Sequence, residues 1–77
     1  MIVEIYGMKG CSYCESAIEL AEEYALPYFY KELDKDYRIE EFQLKFKDAV
    51  TFPQITINGI PIGGYLDFEE VMEMASE

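Results

Sequence analysis

The chain of 77 residues has no histidine and only two cysteines, Cys11 and Cys14. A mononuclear zinc site takes about four ligands, so this chain is short of donors and no metal site is expected. Two cysteines are also too few for the disulfide scaffold of a small secreted domain. A purely structural disulfide across three residues would close too short a loop to gain much from restraining the unfolded chain. Basic residues are scarce as well: six Lys and Arg stand against sixteen Asp and Glu, a net charge of −10. That balance argues against nucleic acid, whose phosphates attract clustered Lys and Arg, and against an anionic membrane surface. It describes a solubility surface that repels its own kind and keeps the protein a monomer. No apolar run reaches the roughly 18 residues of a membrane span, and Met1-Ile2-Val3-Glu4 lacks the basic start of a signal peptide. A soluble cytoplasmic protein is expected, with one domain over residues 1–77. A domain this small buries only about 60% of its unfolded surface.

What the chain does have is Cys11-Ser12-Tyr13-Cys14, set between an apolar run ending at Tyr6 and a helical pattern. A thiol delivered by a loop to a helix N-terminus meets unsatisfied backbone N–H groups and the positive end of the helix dipole, which stabilise a thiolate. The thiolate is the species that attacks disulfides. A second cysteine three residues on lies about one helical turn away, close enough to close a disulfide with little backbone movement. The pair reads as a redox switch.

The surrounding pattern is regular. Residues 2–6 read as a strand, with 7–10 as a turn. From Cys14, Ala17, Ile18, Ala21, Tyr24 and Ala25 follow helical spacing until Pro27, with Glu15, Glu19, Glu22 and Glu23 on the other face. Residues 28–33 form a second strand, and the helix between implies a parallel right-handed crossover. Asp36 is the expected cap of a second helix carrying Ile39, Phe42 and Phe46. Residues 54–57 and 60–62 are short β-branched runs joined by Asn58-Gly59, a hairpin signal. After Gly63-Gly64, Asp67 and Glu70 make a capping pattern ahead of Phe68, Val71, Met72 and Ala75. The order is β-α-β-α-β-β-α, uninterrupted by repeats or low-complexity segments.

That order, with Cys-x-x-Cys after the first strand, resembles the thioredoxin-like fold in its shortest α/β form, a four-stranded mixed sheet flanked by three helices. Within it the chain resembles the glutaredoxins, on three features together: Cys11-Ser12-Tyr13-Cys14, Thr51-Phe52-Pro53 before the third strand, and Gly63-Gly64 with Asp67 three residues after the second glycine. The resemblance spans essentially the full length. It implies a glutathione-dependent thiol–disulfide oxidoreductase acting on protein disulfides and protein–glutathione mixed disulfides. Cys11 is then the nucleophile and Cys14 the resolving thiol. Glutathione serves as reducing co-substrate, with no tightly bound cofactor. The family pattern implies a cis Pro53 and an extended ligand bound along Phe52. It also implies a γ-glutamyl carboxylate at the Gly63-Gly64 turn, with its amino group at Asp67. By the same resemblance, Tyr13 is expected to stand exposed beside the cysteines.

Some positions depart from the pattern. Many glutaredoxins carry proline where this chain has Ser12, and a lysine three residues before the first cysteine, where it has Met8. Lys9, Arg38 and Lys45 are the basic residues open to a glutathione carboxylate, and Leu66 replaces a polar contact. The family also leaves open a [2Fe-2S] cluster held between two subunits, or reduction by a thioredoxin-type reductase. Partners are disulfide-bearing proteins, ribonucleotide reductase being a family-level expectation.

Overall fold

The computed structural model describes residues 1–75. Its elements are β1 (Val3–Gly7), α1 (Ser12–Glu23), β2 (Tyr28–Glu32), α2 (Ile39–Lys45), β3 (Gln54–Ile57), β4 (Ile60–Gly63) and α3 (Tyr65–Ala75). This is the expected order, in a thioredoxin-like fold. The sheet runs β2-β1-β3-β4. β1 pairs parallel to β2 and antiparallel to β3, and β3 pairs antiparallel to β4.

Successive side chains of a strand point to opposite faces, and β1 shows what this does. Val3 and Ile5 join Ala17, Leu20, Ala21, Ile55, Phe68 and Met72 in one core under α1 and α3. Tyr6 points the other way, into a cluster with Tyr37, Phe42 and Phe46 under α2. That second core is aromatic, with edge-on contacts of Tyr6 to Tyr37 and Phe46 at centroid separations of 5.3 and 5.1 Å. Glu4 shares this face. Its carboxylate accepts from Lys31 Nζ at 2.8 Å and from Thr56 Oγ1 at 2.9 Å, so a partly buried charge is fully partnered.

Three local features differ from the sequence reading. The first helix stops at Glu23, before Tyr24 and Ala25. Leu26 N–H bonds the Ala21 carbonyl at 2.9 Å and Ala25 N–H the Glu22 carbonyl at 3.0 Å, a Schellman closure that puts Ala25 at φ 54° where glycine is usual. The second helix is not capped by Asp36. That carboxylate accepts instead from Glu32 N–H at 2.8 Å and closes the preceding turn, while Arg38 is the N-cap, its N–H held by Glu41 Oε1 at 3.1 Å. In the third helix Asp67 lies within the first turn and reaches back to Gly64 N–H at 3.0 Å, so it is not the N-cap residue. The Asn58-Gly59 turn forms as expected, both residues at positive φ (53° and 82°).

Candidate active site

The end of β1 hands the chain to a four-residue loop, and Cys11 arrives as the N-cap of α1 in extended conformation (φ −104°, ψ 106°). Its Sγ accepts from Cys14 N–H at 3.1 Å, so one of the orphan donors of the helix points at the sulfur. A negative charge developing on Cys11 is stabilised by that donor and by the helix dipole. Cys11 is half-buried, whereas Cys14 in the first turn is 1% exposed. The two are joined in a disulfide, with Cα atoms 5.2 Å apart. Cys11 is thus the more accessible sulfur of the pair and Cys14 the buried one.

Tyr13, which stands between the two cysteines in the chain, lines an open groove of about 750 Å3. One wall is Thr51, Phe52 and Pro53, with the Phe52–Pro53 bond cis. The Phe52 ring stacks on Phe42 at 4.8 Å, which ties this segment to the aromatic core. Gln54, almost fully buried, donates from Nε2 to the Thr51 carbonyl at 3.1 Å and holds the loop from below. The other wall is Gly63, Gly64, Leu66 and Asp67 at the start of α3. Gly63 has φ 114°, and a side chain there would collide with the Asp67 carboxylate. At Gly64 an added methyl would sit 3.4 Å from the Pro53 carbonyl, so the two walls approach closely. Tyr13, 58% exposed, lines one end with its ring 5.8 Å from that of Tyr65.

Of the residues singled out in the sequence, Tyr13, Thr51, Phe52, Pro53, Gly63, Gly64 and Asp67 come together around this groove; Cys11 and Cys14 flank Tyr13 in the chain and are not themselves among its lining residues. Lys9 does not join them. It lines a separate hollow with Met8, Glu32, Leu33, Asp34 and Lys35. Arg38 is exposed and lies 3.9 Å from Asp34. The bases that line the groove are Lys45 and Lys47. Sequence reasoning missed Lys47 and Gln54. Lys47 carried no motif, and Gln54 is recognisable only once the loop it supports is seen.

A disulfide-forming pair at a helix N-terminus and a cis proline ahead of β3, on this sheet order, define a thiol–disulfide oxidoreductase of the thioredoxin-like class. The comparisons narrow the class. The glutaredoxin family model matches residues 3–62. A glutaredoxin of Haemophilus influenzae is 38% identical over 95% of this chain and 92% of its own. The reduced glutaredoxin of Escherichia coli superposes with a TM-score of 0.84 at 33% identity, over 96% of this chain and 95% of that one. The fold is also that of a buckwheat glutaredoxin–glutathione complex (TM-score 0.80, 24% identity, 95% and 69% coverage). The chain belongs to the glutaredoxin family.

Proposed function

We propose that this oxidoreductase is driven by glutathione and reduces both protein disulfides and protein–glutathione mixed disulfides. The observation that carries the reading is the groove, which gathers Thr51 to Pro53, the Gly63-Gly64 turn and Asp67 with Tyr13, the residue that stands between the two cysteines in the chain. The backbone around Phe52 offers strand-like hydrogen bonds to an extended peptide. The N-terminus of α3 suits the γ-glutamyl carboxylate, and Asp67 its ammonium. Lys45 and Lys47, which line the groove, suit the glycine carboxylate better than Lys9. A fold solved with glutathione in a buckwheat relative supports the ligand class without carrying its contacts over.

The chemistry is two successive exchanges. The Cys11 thiolate attacks the substrate disulfide, forms a mixed disulfide and expels one substrate sulfur as thiolate. The Cys14 thiolate then attacks Cys11 Sγ, releases the second substrate sulfur and closes the disulfide seen here. One glutathione reopens it at Cys11, and a second takes the first away as glutathione disulfide. When the substrate is itself a glutathione mixed disulfide, Cys11 suffices.

The test is turnover of a small glutathione mixed disulfide with glutathione, glutathione reductase and NADPH. Wild type is expected to turn over, Cys11→Ser to be inactive, and Cys14→Ser to keep removal of glutathione while losing reduction of protein disulfides. No turnover by folded wild type would overturn the reading.

A further inference from the structure

Tyr30 on β2 lies opposite Ile5 in the parallel register and packs against the core under α1. Its phenol and the Cys14 sulfur converge on one point above Gly7. A methyl group at Gly7 would sit 2.8 Å from Cys14 Sγ and 2.8 Å from Tyr30 Cε1, and would meet the Tyr30 hydroxyl oxygen too. Only the missing side chain of Gly7 lets the two groups close over it. In the disulfide state the hydroxyl donates to the Met8 carbonyl at 3.5 Å, the outer limit of a hydrogen bond. It is a donor with a poor acceptor, held beside a sulfur that in a disulfide accepts weakly.

Opening the disulfide changes the sulfur. An incoming thiolate forms a new S–S bond to Cys11, the Cys11–Cys14 bond breaks, and its electron pair leaves on Cys14 Sγ. That charge appears at a site 1% exposed, where an unpartnered anion is costly. The helix-start N–H of Cys14 already points at Cys11. We propose that the Tyr30 hydroxyl is the hydrogen-bond donor that receives Cys14 as a thiolate each time the disulfide opens, and releases it when Cys14 attacks a mixed disulfide. Burial, then the charges of Glu32 on the same strand and Glu15 on α1, hold the Tyr30 pKa above its usual value, so the donor keeps its proton. Tyr37, which donates to the Gly7 carbonyl at 2.7 Å, is the other ionisable group coupled to it. Tyr30 thus acts on a reacting atom of the exchange, a role that rests on Cys14 being the resolving thiol.

The experiment removes one oxygen. In a Cys11→Ser background, the pKa of Cys14 is measured from the NMR shift of its Cβ, with Tyr30 and with Tyr30→Phe. A charge-assisted hydrogen bond predicts about a tenfold loss of thiolate stabilisation, read as a rise of about one pKa unit. Equal pKa values in the two proteins overturn the proposal. In the protein with both cysteines, Tyr30→Phe is expected to slow opening of the disulfide by glutathione by about tenfold. The titration needs no substrate. A raised pKa with no opening by glutathione in either protein upholds the contact and refutes the glutathione reading alone.

Discussion

Gly7→Ala is the substitution in which fold and chemistry meet. Gly7 ends β1 with no positive φ, so alanine meets no backbone penalty, and removing glycine from a strand is by itself worth about 0.5–1 kcal/mol in its favour. Against that stands the space above it. The new methyl would lie 2.8 Å from Cys14 Sγ and from Tyr30 Cε1, closer than carbon and sulfur tolerate, and the hydroxyl must move as well. Overpacking of this kind costs about 1–3 kcal/mol, so the middle of the two ranges gives a net loss of about 1 kcal/mol. In a domain of this size that is roughly a 4–8 °C fall in Tm. The assay is denaturant unfolding of wild type, Gly7→Ala, Tyr30→Phe and the double variant. Because the hydroxyl is one of the groups displaced, Gly7→Ala is expected to cost less in the Tyr30→Phe background. Equal or greater stability of Gly7→Ala would refute the claim that this glycine is required for the close approach of phenol and sulfur.

Ala25→Gly is expected to stabilise by about 0.5–1 kcal/mol in thermal unfolding, since Ala25 is exposed and held at φ 54° by the helix closure. Gly63→Ala, at φ 114° over the Asp67 carboxylate, is expected to cost about 1–3 kcal/mol and to impair turnover. Gly59→Ala, at φ 82° with open space around it, is expected to cost only about 1 kcal/mol and leave turnover intact. The Glu4 carboxyl is held below its ordinary 4.5, chiefly by the Lys31 hydrogen bond, and Lys31 is raised above 10.5 by the same contact. The pair therefore contributes above about pH 4.5 and below about pH 10.5 and is lost outside that window. Lys31→Met is expected to cost about 0.5–1.5 kcal/mol at pH 7 and progressively less as pH falls through 4.5, read from unfolding curves at each pH.

Element order and strand pairing were legible because period-two and period-3.6 patterns rarely compete in this chain. Ile2 to Tyr6 and the Asn58-Gly59 turn admit one reading each. The helix ends were harder, since they are decided by backbone geometry and only secondarily by residue type. Ala25 takes a conformation that glycine usually marks, and Asp36 had an equally good partner in the turn before α2. The site was legible as far as its motifs reached. Cys11, Cys14 and the segments at Thr51 and Gly63 announced themselves. Lys9 seemed the natural basic neighbour because it is close in sequence, but the groove turns toward Lys45 and Lys47, brought there by the chain after α2. Tyr30 carried no signal at all, being one tyrosine of seven until the glycine beneath it was seen in place.

The central claim is that the groove lined by Tyr13, Phe52, Gly64 and Asp67 is the glutathione site. It is tested most directly by trapping glutathione on Cys11 of the Cys14→Ser variant and solving the structure of that mixed disulfide. The account predicts the tripeptide lying along Phe52, its γ-glutamyl end at Gly64 and Asp67 and its glycine carboxylate toward Lys45 or Lys47. Glutathione ordered instead over the Lys9 hollow, or attached at Cys11 with no contact to either groove wall, would contradict it.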